Sequence, residues 1–163
     1  MNRKTLFVTQ AAIIAALYVV LIVVFKPISY GVIQVRFAEI LTVLPFFTPA
    51  AIPGVTIGCL LSGILTGASI PDIIFGSMAT LIGAIVSYRI RRFKYLVVIP
   101  PIVSNALIVP WILKYSYGSP DAIPFMMGTV AVGEIIAAGI LGTFLLIALD
   151  KSKVFRNSEL IVK

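Results

Sequence analysis

Pro27-Ile-Ser-Tyr-Gly-Val-Ile-Gln-Val-Arg-Phe-Ala-Glu39 runs without a break into Ile40-Leu-Thr-Val-Leu-Pro-Phe-Phe47. A stretch carrying Gln34, Arg36 and Glu39 thus passes directly into sequence apolar enough for a lipid bilayer. A second carboxylate, Glu134, lies inside the last apolar stretch of the chain. Ionisable groups in hydrocarbon cost roughly 2.5–3.5 kcal/mol each on insertion scales, so they persist only when paired, hydrated or functional. These groups are the first pointer to what the chain handles.

Composition supports a membrane setting. The 163 residues are 60% hydrophobic and 12% charged, with a mean hydropathy of +1.12, whereas soluble domains are about 45–50% apolar and about 25% charged. Long apolar stretches recur along the whole length and read as transmembrane helices. The alternating pattern of a membrane barrel is absent, so the expected fold is all-α, a single polytopic membrane domain over residues 1–163. The net charge of +7 sits in short juxtamembrane clusters, which is a topology signal and not a nucleic-acid-tracking stripe. One cysteine, Cys59, and no histidine leave no disulfide framework, no imidazole chemistry and none of the usual zinc constellations. Asn2, Arg3 and Lys4 followed by a long apolar run resemble the start of a signal peptide, but the run is too long and reads as a retained first span.

Six spans are expected, at about 6–25, 28–47, 50–66, 72–88, 96–115 and 125–149. The apolar part of the second, 37–47, covers only about half of a ~30 Å hydrocarbon core at 1.5 Å per residue. It either extends backward through 28–35 or re-enters partway. Charge favours six crossings with both termini cytoplasmic in the plasma membrane. The inner face then receives Arg3, Lys4, Arg89, Arg91, Arg92, Lys94, Lys151, Lys153, Arg156 and Lys163, and the outer face keeps Lys26, Arg36 and Lys114. Trp111, Tyr115 and Tyr117 fall at the outer interface.

Small residues recur at packing spacing: Ala11/Ala15 and Ala12/Ala16 in the first span, Gly54/Gly58 and Gly63/Gly67 in the third. Spacing of four places them on one helix face, where backbones can approach closely. For the third span the simpler role is internal packing. The alanine ladder of the first span either packs internally or presents a flat surface to another protein.

No nucleotide-binding loop is present, and Ser62 and Ser104 lie on apolar helices without a base, so catalysis is not expected. The remaining candidates are recognition groups. Arg36 and Glu39, three apart, form either a local ion pair or a pair that also lines a site. Glu134 lies roughly 13 Å below the outer boundary, and is either hydrogen-bonded between helices or part of a site. Asn105, near mid-span after Pro100-Pro101, offers two donors and an acceptor in a dry place. Asp72 follows Pro71 and reads as a helix-entry acid. Tyr30, Phe37 and Trp111 are rings that either stack on a planar ligand or serve belt and packing roles.

The run Pro27–Glu39, then Leu44-Pro-Phe-Phe-Thr-Pro-Ala-Ala-Ile-Pro-Gly54, Ile57-Gly-Cys59, Asp72-Ile-Ile-Phe-Gly-Ser77, Pro100-Pro-Ile-Val-Ser-Asn-Ala-Leu-Ile-Val109 and Gly133-Glu134, closely resembles the queuosine-precursor transporter family over nearly the whole chain. Those proteins are substrate-binding S components of energy-coupling factor transporters. The resemblance implies a six-helix S component that captures a 7-deazaguanine such as preQ1, preQ0 or queuine. It also implies a transmembrane coupling protein and two cytoplasmic ATPases as partners, with ATP used by them and no cofactor in this chain. The ladder Ala11, Ala12, Ala15 and Ala16 matches the family's docking motif for the coupling protein, and Tyr30, Gln34, Arg36, Phe37, Glu39, Asn105, Trp111 and Glu134 are the candidate substrate residues. Two other classes stay open: a scaffold whose carboxylates pair internally, and an ion-coupled carrier working alone, against which the small size and the absence of an internal two-fold repeat both count.

Overall fold

The computed structural model describes residues 2–29 and 35–152. The chain is an all-α polytopic membrane protein, with no strand among the described residues. Its six helices are α1 (Arg3–Val24), α2 (Phe37–Phe46), α3 (Ala51–Thr66), α4 (Asp72–Arg89), α5 (Leu96–Ser116) and α6 (Ile123–Ser152). One further turn, Lys26–Ser29, follows α1. Four of the six (α1, α4, α5 and α6) are long and apolar enough to cross a membrane, and α2 and α3 are shorter.

The short second stretch has an unusual solution. All ten residues of α2 are wound as a 3-10 helix, which rises about 2.0 Å per residue and so spans ~20 Å where an α-helix would span ~15 Å. Such runs seldom exceed 3–4 residues. Part of the expected backward extension, residues 30–34, lies outside the described residues. The helix is buried on nearly every side through Ala38, Glu39, Leu41, Thr42, Val43, Leu44 and Pro45, and it packs against α1, α3, α4 and α6. It is therefore the axle of the bundle. One cluster joins Ile14, Tyr18 and Ile22 of α1 to Ala38, Leu41 and Leu44 of α2, Ala51 and Val55 of α3 and Ala84 of α4.

Apolar burial drives little between helices already in lipid, so close packing must hold them together. On α1 the buried residues Ala11, Ile14, Ala15, Tyr18 and Ile22 form one stripe, while Val8, Ile13, Leu17, Val20 and Val24 lie outward, as a lipid-facing helix requires. That stripe meets the glycines of α3. A Cβ at Gly58 would sit 2.6 Å from Tyr18 Cβ, and one at Gly54 would sit 2.9 Å from Ile14 Cβ. The glycines of α3 therefore serve internal packing. α3 ends at Gly67, whose φ of 73° is the left-handed turn that glycine adopts without strain. Lys26 Nζ donates to the carbonyl of Thr66 at 3.1 Å, tying the turn after α1 to the end of α3.

Two stretches widen into π-helix: Asp72–Gly76 at the start of α4, and Ile135–Leu141 within α6. At the opposite end, Lys94 donates to Asp150 and ties the α4–α5 loop to the end of α6.

The α1–α3 contact is testable. Gly58→Leu and Gly54→Leu should each lower the thermal midpoint of the detergent-purified protein, by the equivalent of about 1–3 kcal/mol, the usual cost of overpacking. Gly128→Leu should leave it unchanged, because a Cβ there meets nothing within 4 Å. Equal midpoints for all three variants would refute the close contact.

Candidate functional site

The innermost helix carries an acid to the centre of the bundle. Glu39, in the first turn of α2, is fully buried. Its Oε1 accepts a 2.6 Å hydrogen bond from the Tyr18 hydroxyl of α1. On the other side, Glu134 of α6 is 3% exposed, and its Oε1 accepts from Asn105 Nδ2 of α5 at 3.0 Å. Asn105 is itself buried. Among the described residues, neither Glu39 Oε2 nor Glu134 Oε2 has a hydrogen-bond partner. A buried acceptor left unmet costs about 1–3 kcal/mol, and more when charged, so these two oxygens are the atoms most in need of a donor.

A second polar group lies at the rim. Arg36 Nη2 stands 3.9 Å from Asp72 Oδ1, an ion pair too long to be a hydrogen bond. Asp72 Oδ2 accepts from the Tyr117 hydroxyl at 2.8 Å, and Tyr117 in turn accepts from the Ser69 backbone N–H at 3.2 Å. Burial, with the Asp72 carboxylate adding to it, raises the Tyr117 hydroxyl above the usual phenol range, which keeps it a donor. Between rim and core, Tyr18, Arg36, Cys59, Ser62 and Asp72 line a cavity of about 30 Å³, room for about two waters and not for a bicyclic base.

The sequence candidates divide. Glu39, Asn105 and Glu134 are all buried polar groups with partners across helices, and Arg36 stands above Glu39 at the start of α2. Arg36 pairs with Asp72, so its ion pair within 4 Å is long-range and not the local one to Glu39. Phe37 stacks on Phe25, with ring centres 4.4 Å apart. Trp111 lies apart from the carboxylates: it is half exposed, parallel to Tyr115, and lines an apolar groove with Pro71, Phe75 and Leu107. Tyr30 and Gln34 lie outside the described residues. Of the alanine ladder, Ala11 and Ala15 are buried on the stripe that faces α3, whereas Ala12 and Ala16 are exposed. All four line an apolar groove with Val8, Ile57 and Leu61.

Three residues were missed or undervalued in the sequence. Tyr18 is the only polar side chain in α1 beyond Gln10, and a phenol in hydrocarbon needs a partner; that signal was present. Asp72 does open a helix, as its position after Pro71 suggested, but its side chain belongs to the rim network. Tyr117 looked like an interface ring and instead orients Asp72.

A family model described as QueT transporter matches residues 8–151. The chain is also similar to the queuosine precursor transporter QueT of Lactococcus lactis subsp. cremoris (strain MG1363), at 41% identity over 83 residues. That alignment covers 50% of this chain and 48% of the relative, so it spans about half the relative's length. No solved structure matches.

Tyr18→Phe removes the donor to Glu39 Oε1 without removing the ring. The thermal midpoint of the purified protein should fall by the equivalent of about 1–3 kcal/mol, the cost of leaving a buried acceptor unmet. Tyr95→Phe, at an exposed ring, should not shift it. An unshifted midpoint in both would mean the Tyr18–Glu39 bond does not support the fold.

Proposed function

This chain belongs to the QueT transporter family, and we propose that it is the substrate-binding S component of an energy-coupling factor importer for a 7-deazaguanine queuosine precursor. The observation that carries the proposal is the pair of buried carboxylates, Glu39 and Glu134, each with one oxygen unmet among the described residues. A 7-deazaguanine presents adjacent N–H donors on one edge, which a carboxylate accepts bidentately. An aminomethyl-bearing form adds a cation suited to the second carboxylate. The base carbonyl needs a donor, for which Asn105 and Gln34 are the candidates, since Arg36 is paired with Asp72. The name of the Lactococcus relative supports the same class of solute.

The chain has no nucleotide-binding loop, so in this proposal the work of uphill transport comes from a transmembrane coupling protein and two cytoplasmic ATPases. The coupling protein docks where Ala12 and Ala16 leave α1 thin, over the groove that α1 shares with Ile57 and Leu61 of α3. Six crossings place both termini and the Arg89–Lys94 cluster on the cytoplasmic side, following the positive-inside rule.

The direct test is to purify the chain and identify the small molecule that accompanies it. A co-purifying 7-deazapurine supports the proposal, whereas a ligand-free chain indifferent to added precursors would favour a scaffold with internally paired acids. Glu39→Gln and Glu134→Gln should each weaken precursor binding by about 2–5 kcal/mol, the typical cost of truncating one partner of a buried charged hydrogen bond. Near-wild-type titrations with both variants would remove the carboxylates from the site.

Energy coupling calls for a separate comparison. Ala12→Leu combined with Ala16→Leu should leave ligand affinity of the isolated chain unchanged and sharply reduce ATP-dependent uptake by the assembled complex in vesicles. Normal uptake by that variant would return the ladder to lipid-facing packing.

A further inference from the structure

Among the described residues, Asp72 is the only acid of this cluster with a base within 4 Å, and that base is the one the carboxylates beneath would otherwise claim. We propose that Asp72 is a positioning residue for the binding site: it holds Arg36 at the outer rim and so keeps Glu39 Oε2 and Glu134 Oε2 open to a ligand bearing N–H donors. The proposal rests on the binding function above and adds a residue role to it.

Local geometry favours the competing pair. Arg36 holds the N-cap position of α2, and Glu39 follows three residues later on the 3-10 helix. The Glu39 backbone N–H bonds the Arg36 carbonyl at 2.9 Å, which keeps the two residues within one turn of each other. A forked guanidinium meets a carboxylate with two parallel hydrogen bonds, and in a dry core such a pair would be hard to displace. Arg36 shares the lining of the small cavity with Tyr18, the residue that bonds Glu39.

Asp72 opposes that pairing from another helix. It stands in the first turn of α4, where the helix dipole favours a negative charge. The Tyr117 hydroxyl bonds its Oδ2, leaving Oδ1 turned to Arg36. Its own backbone N–H reaches Ser69 Oγ at 3.4 Å. The carboxylate is thus anchored, whereas the 3.9 Å separation from Arg36 restrains the guanidinium by charge without a hydrogen bond. Removing the Asp72 charge would free Arg36 to neutralise Glu39.

The test is a second-site rescue, read by calorimetric titration of the purified chain with the 7-deazaguanine that the wild type binds. Asp72→Asn should weaken binding by about tenfold or more, and Asp72→Glu should stay close to wild type. Adding Arg36→Gln to Asp72→Asn removes the competing cation and should restore most of the affinity. A double variant as weak as Asp72→Asn alone would overturn the proposal, because Asp72 or Arg36 would then be required by the ligand itself. Wild-type binding by Asp72→Asn would overturn it as well. Should Asp72→Asn fail to fold, the double variant lacks both charges and its binding decides alone.

A ligand-free measurement separates this proposal from the functional one. The coupling between Arg36→Gln and Glu39→Gln in thermal midpoint should grow in the Asp72→Asn background. No growth would refute the positioning role, whereas a wild-type chain that binds no 7-deazaguanine would refute the transport function and leave this arm intact.

Discussion

A carboxyl group carried to the middle of a membrane bundle has no water to meet it, and the protein around Glu39 is built to that constraint. The acid sits on the one helix that every other face of the core packs against. Meeting its Oε1 requires the Tyr18 hydroxyl to stand within hydrogen-bond reach. The same Tyr18 lies against Gly58 where α1 and α3 approach closely. The packing of the first and third helices and the polar chemistry of the second are therefore one arrangement. Loss of either would leave a buried acceptor unmet, a cost comparable to a sizeable fraction of a domain's net stability.

The three acids of the cluster share a structural habit. Glu39 lies on a 3-10 helix, Asp72 opens a π-helical stretch, and Glu134 immediately precedes another. Departures from α geometry shift the direction in which side chains project and loosen the regular hydrogen-bond ladder, and they occur often at functional sites. Here each departure sits where an acid must be aimed inward or toward the rim. The remaining apolar surface of the helices is regular by comparison, because lipid makes no directional demand on it.

Much of this was legible in the chain. Apolar length alone gave the helices, since 30 Å of hydrocarbon demands long runs and leaves few other folds. Glu39, Asn105 and Glu134 stood out because polar groups in such runs need a reason. Helix winding was not legible: nothing in the propensities of Leu, Val and Phe marks Phe37–Phe46 as 3-10 rather than α. The partner of Arg36 was equally hidden. Spacing along the chain suggests Glu39, and only the folded bundle brings Asp72 to it from a different helix. Likewise the alanine ladder could be seen but not divided, because which of two adjacent faces turns inward is decided by the neighbour, α3.

The glycine-mediated contact between α1 and α3 has a mechanical consequence. Two helices with backbones this close behave as one plank, far stiffer than either alone, and Tyr18 and Cys59 are both fixed to it. Asn105 and Glu134 belong to a different pair, α5 and α6. The polar centre thus draws its groups from two different helix pairs, with α2 packed between them. The spacing across that centre is therefore set by how the two pairs seat on α2, and not by the close contact within the α1–α3 pair.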